Sequence, residues 1–153
     1  MTSTFVSDAK QIFQKKERRA MKKNVPTEER EQIALAQYLD LVVGEPGWFH
    51  VPNGGDRHAA VAAKLKAQGV KPGVLDVFIT RTTKEVRGLG KVGVVIELKR
   101  QNMRPSDVKD IQWTWMEHLA GEGWITYVAK GWEDARQFLD SLGYRLGVKY
   151  GQD

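Results

Sequence analysis

The sequence predicts a mixed α/β layer fold around a small sheet, and three observations carry that prediction. Two apolar runs of strand length, within VKPGVLDVFI and VGVVIELKR, follow one another closely. Amphipathic segments with recognisable helix starts and stops flank and separate the strand-like runs, which calls for helices layered on a sheet. Charges also stand where a strand buries hydrocarbon: Asp76 lies in the middle of the first run, and Glu97 and Lys99 end the second. Removing charges from water is costly unless they are paired or bound to a metal, so this stretch is where a ligand is expected.

In chain order, residues 1 to 24 form a basic arm or helix. Lys10, Lys15, Lys16, Arg18, Arg19, Lys22 and Lys23 face only Asp8 and Glu17 there. Thr27 is a good N-cap for a helix that opens on Glu28 and Glu29, where acids suit the helix dipole. Leu35, Leu39, Val42 and Val43 recur at helical spacing. Counting back from Leu35 puts Glu31 and Glu28 on the extension of that inward stripe. Glu31 stands open between a buried role and a solvated one, and Glu28 is expected to be a first-turn acid in solvent.

Gly44 to Gly47 ends the helix, WFHVP reads as a short strand, and NGGDR as a tight turn. An Ala-rich helix over His58 to Ala67 stops at Gly69. VKPGVLDVFIT is then a turn and a strand, TRTTKEVRGLGK a polar hairpin connection carrying Arg81, Lys84, Arg87 and Lys91, and VGVVIELK the next strand. Gly88, Gly90 and Gly93 match the dinucleotide-binding glycine pattern literally, but they precede a strand instead of opening a helix, so the pattern is discarded. Ser106 is the expected cap of a helix whose apolar stripe is Val108, Ile111, Trp115 and Leu119. Gln112 lies on that stripe and needs a polar partner. WITYVAK is a strand, and Glu133 to Leu142 a last helix stopped by Gly143. Trp113, Trp115, Trp124 and Trp132 are assigned to packing.

The 153 residues contain no Cys, which excludes disulfides, thiolate zinc sites and cysteine nucleophiles. His50, His58 and His118 lack zinc-ligand spacing and are expected to be core or surface histidines. A formal charge of +5 and a pI near 9.5 make anionic partners, nucleic acid first, the natural class. No run is long and apolar enough for a bilayer, and the N-terminus lacks a signal-peptide core, so a soluble intracellular protein is expected.

Strand alternation puts Glu97 and Lys99 on one face, with Val94, Ile96 and Leu98 on the other. An E-x-K triplet alone turns up by chance in roughly one chain in two of this length. Set at the end of an apolar strand, after a strand with a central Asp and before a helix with an inward Gln, it is far rarer. Asp76, Glu97 and Lys99, with Glu31, offer hard oxygen ligands and one ammonium, a set suited to Mg²⁺ or Mn²⁺ and to phosphodiester hydrolysis.

The runs HVPNGGDR, AAKLKAQGVKPGVLDVFI, VVIELKR, DIQWTWMEHLAGEGW and VAKGWEDARQFL resemble, in order and spacing, the VRR-NUC (virus-type replication-repair nuclease) domain of the PD-(D/E)XK nuclease superfamily. The resemblance covers about residues 28 to 142. It divides the chain into a basic arm, 1 to 25, and a nuclease domain, 26 to 153. It implies a restriction-endonuclease-like mixed central sheet flanked by helices. As catalytic residues it implies Asp76, Glu97, Lys99, Gln112 and Glu31, and as metal ligands Asp76, Glu97, Leu98 and Glu31. Leu75 stands where the family has Pro before the aspartate.

The activity implied is Mg²⁺- or Mn²⁺-dependent DNA endonuclease. Stand-alone phage-type members are similar in size and act as homodimers on branched DNA such as Holliday junctions, which would put this protein in the host-cell cytoplasm. Lys15, Lys16, Arg18, Arg19, Arg81, Lys84, Arg87 and Arg100 are candidate DNA contacts on charge. The alternatives are a flap or nicking endonuclease on the same fold, and a non-catalytic DNA-binding protein.

Overall fold

The computed structural model describes residues 24–53, 58–148 and 150. The elements in order are α1 (Glu28–Val42), β1 (Trp48–His50), α2 (Ala59–Ala67), β2 (Val77–Ile79), α3 (Lys84–Gly88), β3 (Gly93–Lys99), a 3-10 turn (Pro105–Asp107), α4 (Asp110–Gly121), β4 (Trp124–Lys130) and α5 (Trp132–Ser141). The sheet runs β1-β2-β3-β4, with β1/β2 and β2/β3 antiparallel and β3/β4 parallel. A parallel neighbour needs a crossover, and α4 supplies it. The mixed sheet between helices is the architecture expected.

The two faces of β3 sort its side chains by parity, and each face meets different helices. Val94, Ile96 and Leu98 pack with Leu35 and Leu39 of α1 and with Ala135 and Leu139 of α5. Val95 packs on the other side with Leu75, Val108 and Met116, against the half-buried Trp115, Leu119 and Trp124. Thus α1 and α5 cover one face and α4 the other. Gly93 is required by a close approach, since a Cβ there would lie 2.6 Å from the Ile79 carbonyl oxygen and 2.5 Å from the Trp124 ring. Among the described residues no helix is long and apolar enough to cross a membrane.

Several local expectations change. The β2–β3 connection is not a plain polar hairpin but contains α3, because the Thr83 hydroxyl caps the Val86 N–H at 3.1 Å and Val86 is buried. Ser106 does not cap α4; it sits in the 3-10 turn, and the helix starts at Asp110 after Lys109. Met116 is the buried residue of α4, while Ile111 and Trp113 are 43% and 44% exposed, so neither belongs to the packed interior. Strand β2 is shorter than its apolar run and begins after Asp76, not around it. Helix α2 runs from Ala59 with His58 at its N-cap and buries none of its residues. The basic arm and the NGGDR turn lie at or beyond the limits of the described residues: positions 1–23, with Lys15, Lys16, Arg18 and Arg19, and positions 54–57 fall outside them.

Leu139 is fully buried where α5 meets α1 and the sheet, so Leu139→Ala is expected to lower unfolding free energy by about 2–5 kcal/mol in urea denaturation. Leu41→Ala, at a side chain 72% exposed on α1, is expected to change it by less than about 0.5 kcal/mol.

Candidate active site

The last turn of β3 carries the charges that the period of a strand assigns to one face. Glu97 is 1% exposed, and its Oε1 meets Lys99 Nζ at 2.7 Å. The same oxygen accepts the Gln112 Nε2 amide at 2.5 Å, so the expected polar partner of the inward glutamine is Glu97. The other end of that amide, Oε1, accepts the Lys109 N–H at 2.9 Å and caps the first turn of α4. One side chain therefore starts the helix and grips the carboxylate. Glu97 Oε2 is buried with no hydrogen-bond partner.

Asp76 reaches the same place from β2. The register Val77↔Ile96 continued by one step sets Asp76 opposite Glu97. Instead of extending the ladder, the Asp76 Oδ2 accepts the Leu98 N–H at 2.8 Å. Its carbonyl accepts the Val51 N–H at 2.8 Å and meets His50 Nδ1 at 2.7 Å. A carbonyl only accepts, so Nδ1 of His50 carries the proton in this contact.

Burial, then the Asp76 charge, push the Glu97 carboxyl up to about 7, against the pull of Lys99. Burial also raises the Asp76 pKa, with the Leu98 N–H opposing it and the Glu28 charge adding to it. Burial works against the Lys99 ammonium, but the hydrogen bond and charge of Glu97, with Glu28 and Asp76, outweigh it and raise its pKa. Lys99 is thus a fixed cation beside two carboxyls that resist ionising together.

The remaining expected residues divide. Glu31 is buried, as its place on the stripe allowed, but it is not brought to Asp76 and Glu97. Its Oε2 accepts the Trp132 N–H at 2.8 Å, at the N-terminus of α5, where the helix dipole favours an anion. Gly131 makes room for it: φ is +87°, and a Cβ there would lie 3.1 Å from both Glu31 oxygens. Glu28 is exposed, as expected, and it is the glutamate of α1 whose charge bears on Asp76, Glu97 and Lys99, lining the cavities beside them. The stripe pointed to both glutamates, and nothing in it said which one lies over the end of β3.

Leu98 can offer an ion only its carbonyl, its side chain being fully buried on the opposite face. Arg100 is close to the site, but its guanidinium holds the Val25 and Pro26 carbonyls at 3.1 Å each. Arg81 donates to the Val43 carbonyl at 2.7 Å and lies over the Tyr150 ring. Arg81, Lys84 and Arg87 follow β2 and precede β3, so topology sets them at the far end of the sheet, roughly 20 Å along β3 from Lys99. Missed by sequence reasoning are Glu28 and His50, and the loop residues Asn102 and Arg104, which line a cavity with Lys99.

Among the described residues no three His, Asp or Glu side chains converge as a metal cage. Mg²⁺ needs none, since one or two carboxylates with waters and substrate phosphates suffice. The orphaned Glu97 Oε2 and the mutual repulsion of Asp76 and Glu97 both fit a divalent cation held between two acids.

No family model and no curated protein matches the chain. Among solved structures it is similar to a VRR_NUC domain protein, at 25% identity and a TM-score of 0.58, over 78% of this chain and 89% of that one. The likeness supports a VRR-NUC domain. The four-stranded mixed sheet between helices fits the restriction-endonuclease-like fold.

A carboxyl whose pKa is higher folded than unfolded binds more protons when folded, so without a divalent ion stability falls as pH rises from the usual value near 4.5 towards 7. Glu97→Gln is expected to flatten that fall. In chelator at pH 8 its midpoint is expected above that of the parent protein by about 3–8 °C in thermal unfolding, a gap that closes at pH 4.

Proposed function

We propose that the chain is a divalent-metal-dependent DNA endonuclease of the PD-(D/E)XK type. The observation that carries this reading is the meeting of Asp76 with Glu97 at the end of β3, with Lys99 Nζ 2.7 Å from Glu97 and Gln112 clamped on the same oxygen. Asp76 and Glu97 would hold the cation, with the Leu98 carbonyl as a third oxygen, and Glu28 in place of Glu31 would be the acid that α1 sets beside the site. When bound, Mg²⁺ or Mn²⁺ supplies polarisation of a phosphoryl oxygen and activation of a water. The chain's own groups do the rest. Gln112 and the Leu98 N–H fix the two carboxyls, and the Lys99 ammonium orients the attacking water or offsets charge that develops on the phosphate.

On the motif resemblance the substrate is branched DNA, four-way junctions first. A homodimer would set two sites against two strands, as symmetric resolution requires. The basic arm, with Lys15, Lys16, Arg18 and Arg19, is the candidate for added backbone contacts, and its charge supports that role.

The test is a panel of labelled duplex, flap, nicked and four-way DNA with Mg²⁺ or Mn²⁺. Asp76→Asn and Lys99→Ala are expected to keep DNA binding and lower cleavage by about 10²–10³-fold. Cleavage undiminished in Lys99→Ala would leave the ion pair structural and the reading wrong. Preference for flap over four-way substrate would change the specificity alone.

The two glutamates of α1 are expected to separate by phenotype. Glu28→Gln lowers the cleavage rate and leaves the unfolding midpoint in place, whereas Glu31→Ala lowers unfolding free energy by about 1–3 kcal/mol by stripping the Trp132 N–H of its acceptor.

A further inference from the structure

Two cavities flank Glu28, and they differ in charge. The first, about 500 Å³, lies beyond Lys99 and is lined by Glu28, Lys99, Arg100, Asn102, Arg104 and Asp107. The second, about 330 Å³, lies on the Asp76 side, where Glu28, Glu29, Gln32, His50, Asn53 and Asp76 line it. Lysine and arginine contribute three cations to the first cavity against two carboxyl groups, and none to the second, which has three carboxyl groups.

Of the three cations, Lys99 is paired with Glu97, and the two arginines are held without a close anion. Arg100 is fixed by the neutral carbonyls of Val25 and Pro26, which orient the guanidinium and leave its charge intact. The Arg104 side chain is 81% exposed and lies 3.9 Å from Asp107, a loose pairing in water. Asp107 is already engaged with backbone, its Oδ2 accepting the Arg104 N–H at 2.7 Å. That contact ties down the turn, and the Arg104 side chain stays available.

We propose that the cavity between Lys99 and Arg104 is a subsite for one phosphodiester flanking the scissile bond, gripped by Arg104 and Asn102 over the charge of Arg100. The inference rests on the reading that a DNA strand is cut at Asp76 and Glu97. A phosphate in the opposite cavity would meet no lysine or arginine and would face Glu29, so the strand is held by its backbone on one side of the cut only. Arginine suits the task because its planar fork bonds two phosphate oxygens at once. The asymmetry sets the polarity with which a strand lies across the end of β3.

The test replaces single phosphates on either side of the cut with neutral methylphosphonates, in the substrate that the full chain cleaves, and reads affinity and single-turnover rate. One flanking position is expected to weaken affinity about tenfold, its counterpart across the cut far less. In Arg104→Ala the same replacement costs nothing further, and Arg104→Lys regains part of the effect. Equal losses on both sides, or a loss undiminished in Arg104→Ala, would overturn the subsite while leaving the nuclease reading intact. Absence of cleavage of every DNA by the parent protein would overturn the nuclease reading itself and the subsite with it.

Discussion

A carboxylate almost completely removed from water, Glu97, is the constraint around which the rest is arranged. Left alone in the apolar face of β3 it would simply stay protonated. The chain answers with the Lys99 ammonium on the same face and the Gln112 amide from the helix above, both on one oxygen. The second oxygen is left without a partner. A group prepared on one side and unsatisfied on the other is costly unless something else completes it, and this separates the pair from an ordinary edge ion pair.

The architecture brings that something within reach. Both helical layers have a member at the end of β3: α1 from one face through Glu28, and α4 from the other through Gln112. Strand β2 stops where β3 still has a residue to pair, and the Asp76 carboxylate occupies the vacated N–H of Leu98. A side chain thus does the work of a ladder bond, and a charge is fixed at the sheet end by main-chain geometry and not by a flexible loop.

Much of this was legible in residue order because it depends on short periods. The two-residue period of a strand is enough to set Glu97 and Lys99 together against Val94, Ile96 and Leu98, and the helical stripe is enough to bury Leu35 and Leu39 and to put Glu31 in line with them. What residue order could not reveal depends on neighbours across space. A stripe gives the angle at which Glu31 leaves α1, not what lies opposite, and there the N-terminus of α5 lies opposite it. The basic segment Arg81 to Lys91 reads as a DNA contact by charge, and only the order of the strands shows that it lies at the end of the sheet away from Lys99. Trp113 has the composition of a core residue, but two residues before Trp115 it lies about half a turn off the buried stripe and faces outward.

The hydrogen bond from the Trp132 N–H to the buried Glu31 carboxylate has a mechanical meaning. It rivets α1 to α5 three residues from the glutamate that overlooks the cleft, and Leu35 and Leu39 continue the seam. Any swing of α1 away from the sheet at Glu28 would have to break that joint and the Leu35–Leu39 packing behind it. A rigid wall on that side of the groove would leave the bending needed for a close fit to whatever enters it.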